Sequence, residues 1–186
     1  MHLVHQHITS GARQIKFPLV PHYNLPAAPG VMQEKKLSLS ISYIVEDAGW
    51  AKITISDGDE ETVNDVSYLH DSLRDLANLA IEMRSGANTA KAIFMDEPGE
   101  LQLVVTKNQN QIDFEARWFK DWQSWGLTSL SDYDVWLRGE ATVQHLVEQV
   151  TDVLTQIHKD IGPKKYKEMW VEHEFPLEQY RKLINA

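Results

Sequence analysis

The sequence predicts an α+β domain, in which an antiparallel sheet of about five to six strands carries two long helices. Segments with alternating apolar residues follow one another through short turns, and such turns join antiparallel strands because parallel neighbours need long crossovers. Two longer segments instead repeat apolar residues at spacings of three and four, which is typical of amphipathic helices. The predicted order is βββαβββα, followed by short C-terminal helices.

The chain divides by composition into an arm and a domain. Residues 1–36 contain four of the seven prolines and are predicted to form an N-terminal proline-containing arm. Residues 37–186 are predicted to form a single α+β domain, which is long enough to bury a substantial core.

The predicted strands fall into two groups of three. The first group begins at Leu37, and its members are joined by turns such as Asp57-Gly58, a hairpin signal. The second group covers 92–95, 101–106 and 112–118. Residues 118–136 are aromatic-rich and carry no regular period, so they are predicted to be irregular.

The predicted long helices cover 68–85 and 140–160. In the first, Leu73 lies in an apolar stripe, Ser67 is the predicted N-cap, and Gly86 is predicted to end the helix in a left-handed conformation. In the second, Leu154 lies in the apolar stripe, and Gly162-Pro163 ends it. Two short helices are predicted near 163–170 and 176–184.

The net charge of -9 is concentrated in one part of the chain. Between Glu46 and Glu100 there are thirteen acidic and four basic residues, whereas the remainder is balanced. An acidic surface disfavours nucleic acids and anionic membranes, and it favours a basic protein partner. The alternative is that the acidic residues are solvated and keep the protein soluble. The candidate acidic residues are Asp57, Asp59, Glu60 and Glu61 of one turn, and Asp71, Asp75 and Glu82 of the first long helix.

Tryptophans are the most unusual local feature. Three of them, Trp118, Trp122 and Trp125, occur within eight residues, and Trp136 follows closely. Trp122 and Trp125 are candidates for partner binding because indoles anchor interfaces. The alternative is that these rings belong to the core or cap the sheet.

No motif predicts catalysis, a cofactor or a metal site. The chain has no cysteine, no His-Glu-x-x-His and no Gly-x-Ser-x-Gly, and the carboxylates of 57–61 do not match a calcium-loop pattern. No apolar run is long enough to cross a bilayer, and the first residues do not read as a secretory signal, so a cytoplasmic location is expected.

Three segments of the chain carry a resemblance to known proteins. They are Gly49-Trp50-Ala51, then Ser67-Tyr68-Leu69-x-x-Ser72-Leu73-x-x-Leu76 with Asp96-Glu97-Pro98-Gly99-Glu100, and then Tyr166-x-x-x-Trp170-x-x-x-x-Phe175-Pro176-x-x-x-Tyr180-x-x-Leu183. Together they resemble a set of small bacterial proteins of uncharacterised function, similar in size and composition to the immunity proteins of toxin systems. The resemblance spans about residues 37–184 and implies an immunity-like role in binding a partner.

The predicted function is therefore a non-catalytic, immunity-like binding module whose acidic face engages a protein partner. The alternative is an enzyme or small-ligand-binding protein with an aromatic-lined pocket between sheet and helices, including Trp118. A homodimer formed through an exposed sheet edge is a third interpretation.

Overall fold

The computed structural model describes residues 38–185, which form seven strands and four α-helices. Three strands pair antiparallel in the order β1-β2-β3, and four more pair antiparallel in the order β4-β5-β6-β7. Helix α1 connects the two sheets, and the remaining helices follow the last strand. The elements are β1 Ser40–Val45, β2 Trp50–Ser56, β3 Glu61–Ser67, α1 Ser72–Arg84, β4 Thr89–Met95, β5 Glu100–Asn108, β6 Gln111–Phe119, β7 Asp134–Ala141, α2 Val143–Asp160, α3 Pro163–Trp170 and α4 Leu177–Ile184.

The predicted α+β class, the two long helices and the two short C-terminal helices are confirmed. The strand arrangement differs from the prediction in two respects. The strands form two sheets of three and four rather than one sheet. Strand β7 is an additional strand that begins inside the segment 118–136 predicted to be irregular and ends inside the predicted second helix, which starts at Val143 instead of residue 140. Which strands pair depends on contacts distant in sequence, and the alternation of β7 is broken by a register shift against β6 between Ala116 and Arg117.

One core joins both sheets to the helices. Buried side chains alternate with more exposed ones along β1, β2, β3 and most of β6, as one buried face requires, whereas β4 and β5 are buried over several consecutive residues. Leu73 of α1 and Leu154 of α2 are completely buried in this core, and Trp170 of α3 is too. The two predicted apolar helix faces are therefore correct.

The helix ends differ in detail from the sequence prediction. Ser67 is the last residue of β3 rather than an N-cap, and α1 begins at Ser72 after Asp71. Gly86 has the predicted left-handed conformation, with φ of 95°. Helix α2 begins at Val143, where the Thr142 hydroxyl accepts a hydrogen bond from the His145 N–H at 3.1 Å.

The predicted arm of residues 1–36 and its boundary with the domain lie outside the described residues. Within residues 38–185, no helix is both long enough and apolar enough to span a membrane.

Candidate protein-binding surface

The four-stranded sheet buries side chains on both of its faces. Leu101 and Leu103 of β5 point into the main core. On the opposite face, Glu100 is completely buried and Gln102 nearly so. Because directly paired residues of antiparallel strands share a face, Phe119 lies beside Glu100 on this outer face. Something must therefore cover the outer face at this end of the sheet.

The cover is the connection between β6 and β7, residues 120–133, which we call the tryptophan segment. The indole N–H of Trp122 donates to the backbone carbonyl of Asp96 at 2.8 Å. The side-chain oxygen of Gln123 accepts from the Gln102 amide at 3.0 Å. These contacts join the segment to the hairpin between β4 and β5, more than twenty residues earlier in the chain.

Glu100 is the central anchor of the tryptophan segment. Its carboxylate accepts the Ser124 backbone N–H at 3.1 Å, the Ser124 hydroxyl at 2.5 Å and the Gln102 amide at 2.5 Å. A buried carboxylate is tolerated only when donors satisfy it, and hydrogen bonds to a charged acceptor are stronger than neutral ones. The segment is thus fixed to the sheet by one acidic side chain.

The far end of the segment is held by an aromatic contact. The ring of Tyr133 packs on Phe119, with centroids 5.4 Å apart, and the Arg117 guanidinium lies 4.7 Å from the Tyr133 ring centroid. A cation over an aromatic face is a favourable electrostatic contact. The segment is therefore attached at both ends.

Between these attachments the segment exposes large apolar side chains. Trp125 is 52% exposed, Leu127 58% and Leu130 72%. The Trp125 and Trp122 rings meet edge to face with centroids 4.7 Å apart, so Trp122, which is hydrogen-bonded to Asp96, supports the Trp125 ring. Scattered exposed apolar residues are ordinary, but a group of this size on one short, anchored segment is typical of an interaction site.

A second, separate apolar group is centred on Trp136, which protrudes at a β-bulge. Trp118, on which Trp136 stacks, pairs with Leu101 and therefore lies on the core side of the sheet, opposite the tryptophan segment. Arg117 pairs with Val135 and Ala116 with Leu137, which leaves Trp136 as the extra residue of β7. Its ring is 41% exposed and stacks on Trp118 with centroids 4.5 Å apart. Bulges commonly redirect a side chain in this way.

Trp118, which was predicted to line a pocket, is engaged in packing contacts. The Trp118 ring also packs against Gly99, where an added Cβ would come within 2.6 Å of it, and Gly99 has φ of 109°. Grooves of about 710 Å³ and 570 Å³ lie elsewhere, between α1 and α4 and between α2 and α4. Trp118 thus acts as a support for Trp136.

Acidic groups lie next to the tryptophan segment. Asp96 is half-buried in the β4–β5 hairpin and accepts the Glu97 N–H at 2.7 Å. Burial raises the pKa of Asp96 above its ordinary value, and the nearby charges of Asp65 and Glu97 raise it further. Lys52 opposes this effect but is ion-paired with Asp65. The local surface beside Trp122 is therefore negative.

The predicted acidic turn of residues 57–61 is a hairpin end, and its members differ in role. Asp57 is engaged in the turn itself, because its carboxylate accepts the N–H groups of Asp59 and Glu60 at 3.0 and 2.8 Å. Asp59, Glu60 and Glu61 are exposed. Three of the four carboxylates are thus available to a partner.

The predicted acidic face of α1 is less exposed than the helical spacing suggested. The Asp71 side chain is only 18% exposed and is ion-paired with Arg74 at 2.5 Å. Asp75 contacts the His70 ring at 2.7 Å. Glu82 is exposed. The expectation that all three face solvent fails for Asp71, because the residue precedes the helix and turns inward.

The two predicted acidic groups do not form one surface. The 57–61 turn precedes β3 and Asp71 follows it, and the six residue steps of Glu61–Ser67 separate them by about 20 Å. The hydroxyl of Ser67 donates to Glu97 at 2.5 Å, so the Asp71 end of β3 adjoins the β4–β5 hairpin. Sequence analysis identified Trp122 and Trp125. It missed Leu127 and Leu130 of the same segment, and it missed Asp65 and Asp96, which only the fold brings near Trp122.

The chain was compared with protein families, curated proteins and solved structures. No protein-family model and no curated protein matches the chain. Among solved structures, the chain is similar to one chain of a CdiA-CT/CdiI toxin and immunity complex from Enterobacter cloacae, with a TM-score of 0.42 and 8% identity over 63% of this chain and 99% of that one. A likeness of this size carries no inference about function.

Proposed function

We propose that this protein is a non-catalytic binding module that engages a protein partner through the tryptophan segment. The observation that carries the proposal is the exposure of Trp125, Leu127 and Leu130 on a segment anchored to a buried carboxylate. Rigid presentation matters because ordering a loop on binding costs conformational entropy, and this segment is already ordered. Tryptophans at the centre of such a surface are frequent hot spots.

The proposed partner carries basic residues among its apolar contacts. The ionised form of Asp96 is destabilised by burial and by the neighbouring charges of Asp65 and Glu97, as its raised pKa indicates. A lysine or arginine placed there would relieve the repulsion among these carboxylates and could also lie on an indole face. The exposed carboxylates Asp59 and Glu60 lie at the far end of β3, so they would not contact this partner and would attract it only at low ionic strength. The immunity-like role implied by the sequence resemblance is one form of this function and stays a prediction.

The first experiment identifies the partner by contact. A photoreactive amino acid at position 130, the most exposed apolar site of the segment, is cross-linked in the native host, and the same label at position 184 serves as the control. Ile184 is also an exposed apolar residue, but it lies at the end of α4. A partner captured from position 130 and not from 184 supports the proposal.

The second experiment measures affinity for that partner. Trp125→Ala is expected to weaken binding by at least about tenfold, the effect of losing a hot spot, while Ile184→Ala changes it by less than about twofold. The affinity of the wild-type protein is expected to fall as salt is raised. Equal affinities for the two variants would exclude this surface as the docking site.

Self-association is tested separately by analytical ultracentrifugation. If the wild-type protein dimerises and Trp125→Ala abolishes the dimer, the apolar surface is an interface between two copies of this chain. That outcome would overturn the proposal of a basic protein partner.

A further inference from the structure

Of the six buried side-chain polar atoms that lack a hydrogen-bond partner within residues 38–185, all but Gln179 Oε1 of α4 belong to residues from three neighbouring elements. They come from β1, from the start of α1 and from α3. Native interiors leave few polar atoms unpaired, so a group of five calls for a physical account. The atoms are Tyr43 Oη, Asp71 Oδ1, Ser72 Oγ, Tyr166 Oη and Trp170 Nε1.

These residues are packed together. The Tyr43 and Trp170 rings meet edge to face with centroids 6.1 Å apart, and the Tyr166 and Trp170 rings stack with centroids also 6.1 Å apart. Asp71 and Ser72 are consecutive, and Asp71 Oδ2 lies 3.8 Å from the ring of His173, which follows the end of α3 by three residues. The unpaired atoms therefore belong to one site beneath α3.

The site contains donors and one ionic acceptor. Burial raises the pKa of both Tyr43 and Tyr166 well above the ordinary value, and the Asp71 charge raises it further, so both hydroxyls keep their protons. The other carboxylate oxygen of Asp71 is occupied by Arg74 at 2.5 Å and lies 3.8 Å from His173. Oδ1 is thus the acceptor left for the interior of the site.

We propose that this is an internal hydration site, in which ordered water bridges Asp71 Oδ1 to the hydroxyls of Tyr43 and Tyr166. Water fits because it donates to the carboxylate and accepts from the hydroxyls at once. Buried waters typically make about three hydrogen bonds to polar groups that would otherwise be unpaired. The rings of Tyr166 and Trp170 and the Tyr43 side chain are almost completely buried around the site. The bridge fastens α3 to β1 and to the start of α1.

The test combines thermal unfolding with crystallography of the full chain. Tyr43→Phe and Tyr166→Phe each remove one hydroxyl and keep the ring. If water links the hydroxyls to Asp71, each variant is expected to lower the melting temperature by about 2–4 °C. Tyr133→Phe is the matched control, because Tyr133 lies on the outer sheet surface and its hydroxyl has no hydrogen bond within residues 38–185; it should leave the melting temperature unchanged.

A crystal structure should show an ordered water within hydrogen-bonding distance of Asp71 Oδ1 and at least one tyrosine hydroxyl. If the two Tyr→Phe variants melt at or above the wild-type temperature, the hydroxyls have no bridging partner and the proposal fails. A direct Tyr166–Asp71 hydrogen bond without water would overturn it as well.

Discussion

Replacing Glu100 with Gln is the most informative test of how the tryptophan segment is held. Three donors converge on the carboxylate: the Gln102 amide, the Ser124 backbone N–H and the Ser124 hydroxyl. The substitution keeps the size of the side chain, removes its charge and turns one acceptor into a donor. Whichever oxygen becomes NH₂, it faces a group that now donates to it.

The expected loss follows from these contacts. Hydrogen bonds to a charged group contribute about 1.5–3 kcal/mol each, whereas neutral ones contribute about 1 kcal/mol. The Ser124 hydroxyl can rotate to accept from the new amide, but the bonds from Gln102 and the Ser124 N–H lose their ionic acceptor. We expect Glu100→Gln to reduce the free energy of unfolding by about 2–3 kcal/mol.

The assay is urea unfolding, accompanied by hydrogen exchange at the Ser124 amide. Hydrogen exchange is needed because the tryptophan segment could open locally while the core stays folded. Part of the lost stability would then appear only as faster exchange of the Ser124 amide and not in the urea titration. Glu82→Gln makes the same chemical change at an exposed helix position and is expected to change stability by less than about 0.5 kcal/mol. A similarly small loss for Glu100→Gln, with unaltered protection of Ser124, would refute the assigned role of Glu100.

Three further predictions concern the core, the hairpin and the arm. Leu73→Ala and Leu154→Ala should each reduce the free energy of unfolding by about 2–5 kcal/mol in urea titrations, because both leucines are completely buried. Asp96→Asn should raise the melting temperature at about pH 7 more than at about pH 3. Because the folded-state pKa of Asp96 is raised, its carboxyl favours folding fully only below the unfolded-state pKa, where it is protonated in both states. This contribution to stability is lost as the pH rises through the folded-state pKa. The asparagine oxygen can still accept the Glu97 N–H, and equal shifts at both pH values would contradict the argument. Deleting residues 1–30 should leave a cooperatively unfolding protein, and a variant that melts without a transition would place the arm in the core.

The sequence predicted the helices well because their signals are local. The stripe containing Leu154 repeats along one segment, and Gly162-Pro163 ends the helix where it should. The strand β7 was missed because the bulge at Trp136 interrupts its two-residue period and Gly139 weakens its strand character. A bulge is defined by how a strand pairs with its neighbour, so the periodicity of the β7 segment alone does not reveal that Trp136 is an extra residue.

The candidate surface was predictable only in part, for the same reason. Trp122 and Trp125 stand out in composition, but their anchor, Glu100, lies more than twenty residues away, and its turn sequence Glu97-Pro98-Gly99-Glu100 does not indicate which segment it holds. The acidic residues were assigned to one face because they are close in sequence. Strand β3 separates them, and the inward turn of Asp71 depends on Arg74 and on the packing of α3.

The separation of the acidic groups by β3 changes how a charged partner would sense this protein. At physiological ionic strength electrostatic interactions are screened over about 8 Å, well short of the roughly 20 Å between the 57–61 turn and Asp71. A basic protein approaching in physiological salt would therefore respond only to the end of β3 nearest to it. In about 0.01 M salt the screening length grows to about 30 Å, and both ends would act together as one attractive source. Dilute buffer would thus speed encounter while weakening the preference for one orientation.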